Sequence, residues 1–233
     1  MALGTPSQLA AGISDGSGAT FTSASISPTS NALLLLFVTA WDHIGLSNVP
    51  AVNSVVGNSL TWTEYSAARK DEGGLFRASV FYAQGASPSS GTVVVTFDRT
   101  CLANGHIVQV TGAKVGNGGL DAIIQMAYNN TASGTGVTAT LAAFGSATSL
   151  PVAFAEGESP NTSVDDGDYS TLGNLNQSGG GYNINTVAAY AATQDTTFAP
   201  TQGSASFLKA WAFEIEEAPA QPGYRFAPYR RVA

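Results

Sequence analysis

Cysteine is nearly missing from this sequence: of 233 residues only Cys101 is one. That excludes an internal disulfide framework and any zinc site built on two or more thiolates. Charge is scarce as well. Asp, Glu, Lys and Arg make up 11% of the chain, against roughly a quarter in an ordinary domain, so solubility must rest on Ser, Thr, Asn, Gln and Gly. Basic residues are the scarcer sign, 9 against 16 acids for a net charge of −7, which speaks against a nucleic-acid partner. Long hydrophobic runs are missing too. The longest, Ala32 to Val38, falls far short of the ~20 apolar residues of a membrane span, so no membrane partner is expected. The start, MALGTPSQLAAG, has no basic n-region and no long apolar h-region, and the expectation is synthesis in a cytoplasm without an export signal. Sequons at Asn129, Asn161 and Asn176 carry little weight on such a route.

What is present points to strands. Twenty-six glycines and no segment with a sustained 3.6-residue stripe argue against a helical bundle. Short apolar segments recur between turn signals, near 19–28, 32–42, 59–66, 75–83, 91–97 and 105–112. A second set follows near 121–127, 137–143, 149–155, 184–192 and 205–216. Alternation supports several of them. Phe76, Ala78, Val80 and Tyr82 fall on one face, opposite Arg77 and Ser79; Trp211, Phe213 and Ile215 oppose Glu214 and Glu216. The pattern predicts an all-β protein, an antiparallel β-sandwich of jelly-roll type, with at least ~40% strand and under ~12% helix. A chain of this length can form one such domain and bury its core without disulfides or metal.

The two halves read weakly alike. LLLLFVTAW, GNSLTWTEYS and RASVFYAQG in the first find counterparts in LPVAFAE, GDYSTLGNLNQ and INTVAAYAATQ in the second. Tyr82-Ala83 aligns with Tyr190-Ala191, a spacing of 108. Two β-rich halves can share such features by chance. If duplicated, they should close one sandwich together and not form two independent domains.

The last stretch differs from the rest. Residues 1–217 hold all 16 acids and 6 bases, a net charge of −10, whereas residues 218–233 hold three arginines and no acid. This stretch, APAQPGYRFAPYRRVA, also carries three of the ten prolines, so an extended arm is expected. The chain thus divides into an N-terminal segment 1–18, a sandwich 19–217 and an arm 218–233. Aromatic and Arg side chains are typical interface anchors. Tyr224, Arg225, Phe226, Tyr229, Arg230 and Arg231 are therefore the candidate partner-binding residues, docking on an acidic neighbouring subunit.

Motifs for chemistry are weak. GISDG around Ser14 fits the nucleophile-elbow pattern, but no helix follows it, and the elbow needs a strand-to-helix turn. His43 and His106 are the only histidines, and neither sits in a supporting motif. Cys101 near His106 lacks a family-specific surround and reads as a small buried hydrophobe. Glu156, Glu158, Asp165, Asp166 and Asp168 are close in sequence without an EF-hand register, so a solvated turn is the better reading. GNGG at 116–119 has no following Lys-Ser/Thr and no βαβ context for a phosphate loop. Trp41, Trp62 and Trp211 could stack on sugars if exposed; core is favoured for all three, and Trp41 alone could reach a loop rim. No catalytic residue, metal ligand or cofactor is expected.

The order of ALLLLFVTA, GNSLTWTEY, RASVFYAQG, SGTVVVTF and KAWAFEIEEA resembles a jelly-roll-like β-sandwich module of tailed-phage virion proteins, found also in some bacterial surface proteins. The likeness covers residues 19–217. It implies a non-enzymatic virion building block, a capsid decoration or head-spike protein or a tail-tip or baseplate component. Its partners would be other virion proteins, copies of itself among them. Localisation would be the virion, after synthesis in a bacterial cytoplasm. The alternative is a carbohydrate-binding module that takes host-surface glycans during adsorption.

Overall fold

Sixteen strands, every pairing antiparallel, and two short 3-10 turns build the computed structural model over the residues it describes: 2–15, 18–42, 48–72, 76–159, 162–163, 168–179 and 182–219. Strand accounts for 60% of the structure and helix for 5%, as the alternation predicts. No helix among the described residues is long and apolar enough to cross a membrane.

The first half contains β1 (Ser7–Asp15), β2 (Thr20–Thr22), β3 (Leu33–Trp41), β4 (Val52–Gly57), β5 (Thr63–Glu64), β6 (Lys70–Glu72), β7 (Phe76–Ala83), β8 (Val93–Phe97) and β9 (Leu102–Val110). Its large sheet has the order β1-β9-β3-β7-β5, with β6 also on β7, and its small sheet the order β2-β8-β4. The second half contains β10 (Ile123–Gly136), β11 (Ala139–Thr140), β12 (Leu150–Gly157), β13 (Tyr169–Gly179), β14 (Tyr182–Ala191), β15 (Thr197–Phe198) and β16 (Thr201–Ile215). Its large sheet runs β10-β16-β12-β14-β13, and β11-β15 forms the small one. First strand beside last, last beside third, third beside the returning strand: both halves are wound as jelly rolls, in the same order.

Register makes the likeness residue-specific. Tyr82 pairs with Leu35, and Leu35 with Val108. Tyr190 pairs with Val152, and Val152 with Phe213. The 108-residue correspondence of the tyrosines therefore carries Leu35 onto Val152, Phe37 onto Phe154 and His106 onto Trp211.

The two large sheets pack face to face, and each carries its small sheet on the outside, giving four layers. Leu33, Leu35, Phe37, Val80 and Tyr82 meet Val152, Phe154, Trp211, Phe213 and Ile215 in the central core. The opposite face of β3, Leu36, Val38 and Ala40, packs with Phe21, Val93, Val95 and Phe97. Ala153, Ala155, Val187 and Ala210 pack with Phe198 in the second half. A strand buried on both faces has no solvent side to alternate with, which is why β3 reads as the unbroken LLLLFVTAW.

This layering alters two alternation readings. Ser79 is buried and donates to Glu64 Oε1 at 2.9 Å. Glu214 is fully buried and accepts from Gln125 Nε2 at 2.6 Å and from the Gly145 backbone N–H at 3.2 Å. The strand expected over 59–66 shrinks to Thr63–Glu64, because Asn58 and Ser59 hold positive φ in a turn. Residues 7–15, read from sequence as part of an N-terminal segment, form the edge strand β1 on β9.

Candidate functional site

The first and last described segments and the linker between the halves meet at one pole, where β3 and β12 begin. Linker residues 111–114 lie between residues 2–4 and 216–218. On one side the Gly4 N–H donates to the Thr111 carbonyl at 2.9 Å; on the other the Ala218 N–H donates to the Gly112 carbonyl and Lys114 N–H to the Glu216 carbonyl, at 2.8 and 2.9 Å. Ala113 and Glu217 form an antiparallel bridge. Lys114 Nζ lies 2.7 Å from Glu216 Oε2, a partner that raises the pKa of the lysine. Gly112 has φ +72, and a Cβ there would collide with the Ala2 carbonyl oxygen, so only glycine fits between the two ends.

Two clefts open beside this clasp. One, about 320 Å³, is lined by Lys114, Ser146, Thr148, Glu216 and Pro219. The other, about 480 Å³, is lined by Leu3, Ala147, Leu150, Ala192 and Gln194. Thr148 and Glu217 border both. The candidate anchors Tyr224, Arg225, Phe226, Tyr229, Arg230 and Arg231 lie outside the described residues. The root of their arm is described, and it forms the wall of the smaller cleft.

Toward the opposite pole the central core turns polar. Thr39, Asn104, His106, Glu156, Thr186 and Lys209 are all buried. Lys209 Nζ lies 3.2 Å from Glu156 Oε2 and sits over the Phe76 ring at 5.5 Å. His106 Nε2 lies 2.9 Å from Thr186 Oγ1 and 3.2 Å from the Thr186 carbonyl oxygen, and Nδ1 lies 2.9 Å from Gln8 Oε1. Burial pushes the His106 pKa down to about 4, opposed by the Thr186 backbone contact, so the ring is neutral at pH 7. Its counterpart by register, Trp211, also bonds across the halves, donating from Nε1 to the Ala68 carbonyl at 2.9 Å. Trp41, Leu102 and Ile184, with Phe76 against them, close this polar layer off. The signal for it was present in the sequence: Lys209 shares the parity of Trp211 and Phe213, and Glu156 that of Val152 and Phe154.

The structure separates the residues that the weak motifs offer for catalysis. Ser14 pairs with Ala103 and Ala11 with His106, so Ser14 and His106 point to opposite faces of the sheet. Cys101 is buried in the outer core of the first half, where burial pushes its thiol up to about 12. Glu158 accepts from Ser206 Oγ at 2.6 Å, and Asp168 is exposed. His43, Asp165 and Asp166 lie outside the described residues. Among the described residues no group of three His, Cys, Asp or Glu side chains could hold a metal ion. GNGG forms a turn of the linker, with positive φ at Asn117, Gly118 and Gly119. Trp41 and Trp211 are fully buried, and Trp62 is half-buried against the outer core. Neither Trp41 nor Trp211 can stack on a sugar.

Compared with protein-family models, with curated proteins and with solved structures, the chain matches none.

Proposed function

We propose that this chain is a non-enzymatic structural protein of a bacteriophage virion, a capsid decoration or head-spike protein or a tail-tip or baseplate component, acting through contacts between subunits. The observation that carries this reading is the doubled jelly roll clasped at one pole, where the chain leaves its acidic body and the sequence turns basic and aromatic. Jelly rolls recur in viral capsid proteins and in lectins, so the fold supports the class by analogy and the residues must supply the rest. Here buried polar residues are spent on holding the halves together: His106 on Thr186 and Trp211 on Ala68, while Lys209, paired to Glu156 of its own half, lies over the Phe76 ring of the other. A low-charge surface suits repeated, close packing, since few charges need desolvation at each contact.

The test is proteomic and structural. Purified particles from lysates of cells making the chain should contain it at a fixed stoichiometry, resistant to washing in salt. A glycan array run in parallel covers the adsorption reading. Stable glycan binding with no particle-associated protein would overturn the proposal.

A further inference from the structure

We infer that the paired clefts beside Thr148 and Glu217 receive the arm, residues 220–233, of a second copy of this chain. The inference rests on the reading of the arm as an assembly element and names its acceptor.

Three observations carry it. The described chain reaches Pro219 in the wall of the smaller cleft, and fourteen residues follow. At ~3.1 Å per residue an extended arm reaches roughly 43 Å, enough to cross to a neighbour. Charge fits as well. The arm adds Arg225, Arg230 and Arg231 without an acid, whereas among the described residues the clefts are lined by two acids, Glu216 and Glu217, and one base, Lys114. Cleft volumes of about 320 and 480 Å³ match the roughly 300–1,000 Å³ of ligand pockets. Leu3, Leu150, Ala147 and Ala192 offer apolar contact to Tyr224, Phe226 and Tyr229. Because each arm starts at the rim of the cleft it would fill on a neighbour, two copies can exchange arms about a two-fold axis, or a row of copies can pass them head to tail.

The experiment uses the full chain with a photo-reactive residue in place of Thr148, which is exposed. Equal amounts of nitrogen-14 and nitrogen-15 protein are mixed, assembled and irradiated, and the cross-linked peptides are identified by mass spectrometry. The expected product joins residue 148 to a residue of 220–233 with mixed isotope labels. A cross-link to the arm confined to one label means that the arm docks on its own body, and overturns the inference. In a second measurement Glu217→Lys should weaken self-association at least tenfold in sedimentation velocity, with an unchanged melting temperature. If the chain oligomerises but residue 148 never links to the arm, the acceptor is wrong while the assembly reading stands. If the full chain stays monomeric at every concentration, both fall.

Discussion

Phe37 and Phe154 stack on each other with ring centroids 4.8 Å apart and planes 13° from parallel, and they occupy equivalent positions of the two halves. The contact therefore joins matching positions of the two jelly rolls across the central core. Trp211 leans on the same pair, 5.1 Å from Phe37. Truncation of either ring, Phe37→Ala or Phe154→Ala, should cost about 3–5 kcal/mol by denaturant unfolding. The double variant should cost less than the two singles together, because the second truncation removes a contact already lost. Strict additivity would mean that the stack contributes nothing beyond separate burial.

His106 makes stability depend on pH in a defined window. Its pKa in the folded protein, about 4, lies below the usual 6.5 of the unfolded chain. Between those values the unfolded state binds more protons. The stability that neutral His106 allows is complete above pH ~6.5 and is lost as pH falls toward 4, by on the order of 3 kcal/mol. His106→Asn should flatten this stretch of the profile. Asp71 and Asp98, held below the ordinary range by hydrogen bonds from Arg77 and Arg99, lose their contribution only at lower pH, so the two effects separate. A profile unchanged by His106→Asn would contradict the assignment.

Lys209 and Glu156 are each 4% exposed in their side chains. Lys209→Met strands a buried carboxylate and should cost about 3–5 kcal/mol. Adding Glu156→Leu should restore most of that loss, since an apolar pair of similar volume removes the desolvation penalty along with the attraction. Failure of the second substitution to restore stability would show that other contacts of the pair dominate.

Gly112→Ala tests the clasp that joins residues 2–4 and 216–218 to the linker. With φ +72 and the Ala2 carbonyl against it, an added methyl must push the segment that precedes β1 away. A loss of about 1–2 kcal/mol is expected from the left-handed backbone alone, read as a drop of several degrees in melting temperature. A neutral outcome would mean that the N-terminal segment is readily displaced.

The strands that sequence reading found are those with an apolar face, and the central pair were the clearest: LLLLFVTAW of β3 and the Trp211-Phe213-Ile215 row of β16. The duplication was visible only as faint segment matches, Tyr82 with Tyr190 the most specific, because jelly-roll winding is set by which strands pair and leaves few residue identities. β13, YSTLGNLNQSG, was missed for a physical reason: as an edge strand rich in Ser, Asn and Gln it shows no apolar period. β1 was missed similarly, its small residues Ala10, Ala11 and Gly12 giving little contrast between faces. The arm was legible as composition, through its charge switch and prolines, but its acceptor was not. Thr148, Leu3 and Gln194 are far apart in sequence and only the fold brings them to one cleft.

Deleting residues 220–233 tests most directly the proposal that they join one copy to another. Sedimentation velocity and thermal melting should be recorded on the full chain and on the chain ending at Pro219. The four-layer core lies within residues 2–219, so the shortened protein should melt within a few degrees of the full chain, yet sediment as a monomer and fail to enter particles. A truncated protein that melts normally and assembles as the full chain does would contradict the claim that the arm drives assembly.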